Sequence, residues 1–227
     1  MGLVKRHLIE CIDVYKSYAE NGHPVPVLRA FSMQANKGAF IAVTGKNGSG
    51  KTTLLHILCG LLSVDSGLIR VAGRELSAMS RRERCAFRAQ NTGVVFQDGN
   101  LVDHFSVLEN VMLPYYLTRR KIDKPAQERA EEVLRDLNLT ELKNRDIRAL
   151  SGGQRQKAAI ARALLLKPEI IFADEPTGSL DREAETEIME IFRAINRQGT
   201  TIIMVTHSEK CADYANKIIE LGVRNEE

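Results

Sequence analysis

Between Gly45 and Thr52 the chain reads Gly-Lys-Asn-Gly-Ser-Gly-Lys-Thr, which fills the pattern G-x-x-x-x-G-K-[ST]. The apolar run 40–43 stands directly before it, and Leu54, Leu55, Leu58, Leu61 and Leu62 follow at helical spacing, which predicts a helix over 51–62. A strand, a glycine loop and an amphipathic helix in that order make one βα unit of a parallel sheet, so the chain is confined to the α/β class. In such a loop successive backbone N–H groups converge on phosphate oxygens. Gly45, Gly48 and Gly50 permit this by lacking a Cβ, and the helix start adds about half a positive charge. Lys51 reaches the β- and γ-phosphates, and Thr52 offers its hydroxyl to Mg²⁺. Lys46, Asn47, Ser49 and Thr53 complete the nucleotide-binding set, and a purine nucleoside triphosphate is the ligand it implies.

Further strands are predicted near 9–14, 68–71 and 93–96. Ser80 and Glu83 have capping-box spacing ahead of a basic helix whose Arg81, Arg82, Arg84 and Arg88 read as a solvated face. Helical signals dominate 107–166, with Pro125 just inside a helix start and Ala126, Ala130, Val133, Leu134 and Leu137 on one face. Strand signals return at 170–173 and 201–206, separated by a helix in which Ile188, Ile191, Phe192 and Ile195 share a face. No repeat or linker interrupts the chain, so 1–227 reads as a single domain with a helical subdomain inserted over approximately 100–166.

The strand 170–173 ends in Asp174 and Glu175. Beside a phosphate loop these acids would reach the metal and the γ-phosphate, Asp174 holding Mg²⁺ through water and Glu175 polarising the attacking water. A surface turn after a core strand accounts for Asp-Glu-Pro equally well on local grounds.

Composition narrows the partners. At 44% apolar and 27% charged, the 227 residues are those of an ordinary globular protein, and a net charge of +3 is far short of a DNA-coating field. Zero Trp and 5% aromatic content argue against an aromatic nucleic-acid platform. The four cysteines form no C-x-x-C pair, so no zinc or redox motif is implied. No apolar run is long enough to span a membrane. The start carries Lys5, Arg6 and Glu10 in place of a leader, and Arg6 replaces the hydroxyl that myristoylation at Gly2 wants. Membrane attachment is therefore expected through a protein partner.

Upstream of the acidic strand stands Leu150-Ser151-Gly152-Gly153-Gln154. Together with the phosphate loop, Gln97 after Val94-Val95-Phe96, Asp174-Glu175, Ser179-Leu180-Asp181 and His207, it makes nearly the whole chain resemble the ATP-binding-cassette ATPases. The resemblance implies a P-loop NTPase core with a RecA-like parallel sheet, an antiparallel β subdomain and an inserted helical subdomain. It implies ATP hydrolysis with Mg²⁺ in a head-to-tail dimer, where Ser151, Gly152, Gly153 and Gln154 of one copy meet the γ-phosphate held by the other. Gln97 would contact Mg²⁺ or water and link the site to a partner, His207 would orient Glu175 and the γ-phosphate, and Asp181 would arrange both sites near the interface. The family stacks adenine on an aromatic upstream of the loop: Tyr18 matches best, and Tyr15 is the rival. Physical chemistry agrees at Ser151, an N-cap residue followed by glycines that allow close backbone approach.

Phe96-Gln97, Asn100-Leu101, Val107-Leu108-Glu109-Asn110-Val111, Leu113-Pro114 and the run from Ala173 to Asp181 resemble the lipoprotein-releasing and macrolide-exporting branch. That branch implies a separate membrane permease subunit and a place on the cytoplasmic face of the plasma or inner membrane, peripheral through the permease. It also implies export or extraction of a lipophilic, peptide or antibiotic cargo, with the partner met by 98–117. A cassette driving a non-transport membrane complex is the alternative. DNA-tethering and ribosomal cassettes are disfavoured because the chain has neither an inserted coiled coil nor a second cassette, and no nucleic-acid partner is expected. Gly99, Asp103 and His104 depart from the branch in the partner-facing segment, and Lys46-Asn47 replaces the commoner Pro-Ser.

Overall fold

A computed structural model of the chain describes residues 7–222 apart from Asn21 and Arg119; Gly2, Lys5 and Arg6, and the expectations drawn from them, lie outside the described residues. Three apolar runs form strands buried on both faces: β3 (Phe40–Thr44), β7 (Ile170–Asp174) and β8 (Thr201–Val205). Such runs suit the interior of a parallel sheet, where helices cover both sides. They join β6 (Thr92–Val95) and β9 (Lys217–Glu220) in a parallel sheet of order β6-β7-β8-β3-β9. Alternation divides the central strands between two cores. Ile41, Val43, Ile170, Phe172, Ile203 and Val205 face one, while Phe40, Ala42, Ile171, Ala173, Ile202 and Met204 face the other.

The first core is closed by α1 (Lys51–Leu58) and by an antiparallel sheet of order β2-β1-β4-β5. Its strands are β1 (Ile9–Glu20), β2 (His23–Ala35), β4 (Ser66–Val71) and β5 (Arg74–Glu75). The second core is closed by α3 (Val107–Leu117), α4 (Lys124–Asp136), α5 (Gly152–Leu164) and α6 (Arg182–Arg197). The α/β class and the parallel and antiparallel sheets implied by the resemblance are therefore present.

Three readings need correction. The helix after the phosphate loop stops at Leu58, because Gly60 takes φ 74° and the N–H groups of Leu61 and Leu62 turn back to the carbonyl of His56. Strand β1 continues to Glu20, six residues past the predicted end, and pairs along its length with the unpredicted β2. The basic helix α2 (Arg81–Asn91) has its capping box at Ser80 and Glu83, but only part of it is solvated. Arg81 and Arg82 are exposed, whereas Arg84 donates to the Met79 carbonyl at 2.6 Å and Arg88 to the Gly60 carbonyl at 3.2 Å, just past the end of α1. Charge reversal at Arg81 and Arg82 is expected to leave ATP turnover and melting temperature unchanged, because exposed sites of this kind shift stability by about 0.5 kcal/mol or less. Arg88→Ala is expected to cost roughly 1 kcal/mol, read as a lower Tm.

Candidate active site

Parallel pairing places the carboxyl ends of β3, β7 and β8 level with one another. Val43 and Asp174 both pair with Val205, so the phosphate loop, the two acids and the segment leading to His207 leave the sheet along one edge. Ligands of open α/β sheets bind at this edge. Gly50, the residue before α1, has φ 96°, and a Cβ there would lie 2.6 Å from Val27 Cγ1, so only glycine fits. At Gly45 (φ 145°) a Cβ would lie 2.5 Å from the Leu221 carbonyl oxygen at the end of β9.

The start of α1 differs from that of its neighbours. Ser80, Ser106, Ser151, Asp123 and Asp181 each cap a helix with a side-chain oxygen, whereas no side chain caps α1. Its first N–H groups are left for another acceptor, the arrangement that binds phosphate. Ser49 Oγ, in the same loop, is buried without a hydrogen-bond partner among the described residues. Lys51, 8% exposed, donates to the carbonyls of Gly45 at 2.9 Å and Lys46 at 3.1 Å, which fixes its charge over the loop. A cavity of about 350 Å³ lies between Lys46, Asn47, Gly48 and Ser49 of the loop and Glu220, Leu221 and Gly222 at the end of β9, to one side of Lys51 and Thr52.

Asp174 and Thr52, predicted as metal-side groups, are brought together: the Thr52 hydroxyl donates to Asp174 Oδ1 at 3.1 Å. Burial raises the Asp174 carboxyl above the usual carboxylate range, while the Thr52 hydrogen bond, His56 and Lys51 oppose the rise. Among the described residues no three His, Cys, Asp or Glu side chains form a protein-only metal cage. The hard oxygens of Thr52 and Asp174 suit Mg²⁺, which commonly keeps several waters and is held by few protein ligands plus phosphate oxygens. Gln97 lies against Gly178, where a Cβ would stand 2.9 Å from Gln97 Nε2.

Glu175 occupies a left-handed backbone position, φ 43°, held by its own N–H on the Val205 carbonyl at 3.0 Å and by Gly178 N–H on its carbonyl at 3.0 Å. Its Oε2 accepts from the His207 N–H at 3.2 Å and lies 2.9 Å from His207 Nδ1, so His207 sets the carboxylate's direction. Of the two tyrosines, Tyr18 stands at the loop helix: its hydroxyl is 3.3 Å from Thr53 Oγ1, and Lys16 Nζ lies 5.9 Å from its ring centroid. Tyr15 pairs instead with Ser66 of β4. The residue that sequence reading passed over is His56, one turn after Thr52 on α1 and 3.8 Å from Asp174 Oδ2; its (i, i+4) spacing from Thr52 was the available signal.

Ser151 opens α5 with a capping box, its Oγ accepting from Gln154 N–H at 3.2 Å and the Gln154 side chain accepting from Ser151 N–H at 3.0 Å. The Gln154 side chain is thus turned back onto the cap. Ser151, Gly152, Gly153, Gln154 and Asp181 line a separate cavity of about 380 Å³. Asp181 Oδ1 caps α6 through the N–H groups of Glu183 and Ala184. One chain therefore carries a phosphate loop and a signature segment facing different cavities.

The family model described as ABC transporter matches residues 28–178, more than half of the chain. The chain belongs to the ABC transporter family. This cassette is 36% identical to the bacitracin export ATP-binding protein BceA of Halalkalibacterium halodurans, over 93% of this chain and 84% of that protein. It is 39% identical to the macrolide export ATP-binding/permease protein MacB of Chlorobium luteolum over 94% of its own length, and it spans only 32% of that protein. Among solved structures it resembles the dimeric MJ0796 cassette of a bacterial ABC transporter, with TM-score 0.86, 33% identity and 94% of each chain covered. The same MJ0796 cassette is also known as a post-hydrolysis dimer bound to ADP and Pi, at TM-score 0.86, 32% identity and the same coverage. This cassette is an ATP-binding ATPase of the family.

Proposed function

We propose that this cassette, a single domain over 1–227 with its helical subdomain near 100–166, powers a separate membrane permease subunit of an exporter by dimerising on ATP. The observation that carries the reading is the division of the site: Ser151, Gly152, Gly153, Gln154 and Asp181 line a cavity to which none of Lys51, Thr52, Asp174, Glu175 or His207 contributes. A second copy, turned head to tail, would supply what each half lacks. ATP with Mg²⁺ fits the residues present: an uncapped helix start, the orphan Ser49 Oγ, and two hard oxygens 3.1 Å apart at Thr52 and Asp174.

In this reading Lys51 and the loop N–H groups of 45–53 hold the β- and γ-phosphates, and Tyr18 stacks on the adenine. Thr52 and Gln97, with Asp174 through water, would hold Mg²⁺, which when bound would neutralise charge developing on the phosphate oxygens. Glu175 Oε takes a proton from the attacking water as ATP and water give ADP and phosphate, with His207 keeping the carboxylate aimed. Ser151 and Gly153 of the partner copy donate to the γ-phosphate, and Gly152, Gln154 and Asp181 shape that half of the site. Hydrolysis removes the shared phosphate, and the copies part.

The partner-facing segment is 98–117, supported by exposed Val102, Phe105, Tyr116 and Leu117 within it. Asn110, wholly buried, accepts from Val102 N–H at 2.7 Å and donates to the Val102 and Ser106 carbonyls, each at 3.1 Å, so the loop is held in one shape. Among the described residues no helix is long and apolar enough to cross a membrane. Peripheral placement at the cytoplasmic membrane face, through the permease, is supported by the similarity to BceA and MacB. Export of a peptide or antibiotic cargo is supported by the similarity to BceA and MacB.

Pull-down of tagged Glu175→Gln protein from native membranes in mild detergent with Mg-ATP is the test. Co-purification of a multi-spanning membrane protein is expected. Recovery of ribosomes or nucleic acid without one would leave the ATPase intact and overturn the transporter assignment.

A further inference from the structure

His56 sits beside Asp174 but is given no role in the reading above, and its surroundings are unusual. It lies one helical turn after Thr52, so both side chains leave α1 on the face that meets β7. Its Nε2 is buried and has no hydrogen-bond partner among the described residues, a costly condition for a ring nitrogen. That nitrogen is 3.8 Å from Asp174 Oδ2, while Oδ1 of the same carboxylate accepts the Thr52 hydroxyl at 3.1 Å. Phe96, the residue before Gln97, meets the imidazole edge-on, with ring centroids 6.2 Å apart and planes at 66°, and so limits how the ring can turn.

We propose that His56 is a positioning residue for Asp174, with its Nε2–H closing onto Oδ2 and fixing the rotation of the carboxylate, so that Oδ1 and the Thr52 hydroxyl stay aligned on the Mg²⁺ position. The inference rests on the Mg-ATP reading of the site. A movement of less than about 1 Å turns the 3.8 Å approach into an ordinary N–H···O bond. It would satisfy the orphan nitrogen and occupy the one Asp174 oxygen that Thr52 leaves free. Outer partners of this kind hold ligating carboxylates in place in metal sites generally. Phe96 would join the two arms of the metal side, because the residue that braces His56 leads directly into Gln97.

The test measures binding of a non-hydrolysable ATP analogue to the purified chain by calorimetry, in EDTA and across a Mg²⁺ titration, with Tm recorded for each variant. His56→Leu keeps apolar packing and removes the donor. It is expected to raise the Mg²⁺ concentration for half-maximal tightening roughly tenfold, with affinity in EDTA unchanged. His56→Gln places an amide N–H near the Nε2 position and is expected to restore the wild-type Mg²⁺ response. Should His56→Leu fail to fold, His56→Asn, whose shorter side chain withdraws the donor, replaces it with the same expectation. An unchanged Mg²⁺ midpoint, equal losses with and without metal, or a glutamine variant as impaired as leucine would each overturn the proposal. Wild-type protein showing no Mg²⁺ effect on binding would instead remove the metal reading itself, and the proposal with it.

Discussion

Glu175→Gln protein is expected to bind ATP as tightly as the wild type, to hydrolyse it at least about 100-fold more slowly, and to accumulate as an ATP-bound dimer. The substitution is nearly isosteric. The glutamine carbonyl can still accept from the His207 N–H that now reaches Oε2 at 3.2 Å, so the turn after β7 keeps its shape. What is lost is the carboxylate that takes a proton from water. Nucleotide held between two copies then persists, because the step that removes the γ-phosphate is blocked. Phosphate release and size-exclusion chromatography with Mg-ATP read the two effects separately. Turnover at the wild-type rate would remove the general-base role, and loss of ATP binding would show that Glu175 holds nucleotide instead.

The difference between what the sequence disclosed and what it hid follows from how many constraints act on each residue. The phosphate loop was legible because chemistry dictates its fixed positions: only glycine tolerates φ 96° at Gly50 against Val27, and Lys51 must bring its charge back over the loop carbonyls. The runs of β3, β7 and β8 were legible because burial on both faces leaves four consecutive apolar residues in each, with a polar residue only at one end.

Strand β2 was hidden for the opposite reason. It lies at the edge of its sheet, where Pro24 and Pro26 are tolerated and interrupt the strand signal, and its clean alternation is confined to the five residues 31–35, too short a run to mark a strand that begins at His23. Leu61 and Leu62 kept helical spacing past the real end of α1, since periodicity is blind to a left-handed Gly60. The choice between Tyr15 and Tyr18 could not be made by parity, because β1 shifts register after Val14 and again after Lys16. His56, set among leucines, reads as core until Asp174 is seen beside it. Its role depends on a contact across 118 residues of sequence (174 − 56), which no local pattern records.

Lys51→Ala carries the second large effect. The ammonium is nearly buried and makes two charge-assisted bonds to loop carbonyls. Phosphate oxygens are stronger acceptors than amide carbonyls and would draw the same ammonium across a short distance with its desolvation already met by the fold. Removing it is expected to cost ATP binding roughly 2–3 kcal/mol, about 30- to 150-fold in Kd, measurable by calorimetry. The loop itself should survive, because Gly45 and Lys46 are partly open to solvent and water can replace the lost donor. A small fall in Tm with a large fall in affinity is therefore the expected pair. Lys51→Arg is not expected to rescue binding, since a planar fork cannot occupy the place of a compact ammonium held between two carbonyls. Unchanged ATP affinity in Lys51→Ala would contradict the phosphate-loop assignment, while a collapse of Tm would show that the lysine braces the turn more than it serves the nucleotide.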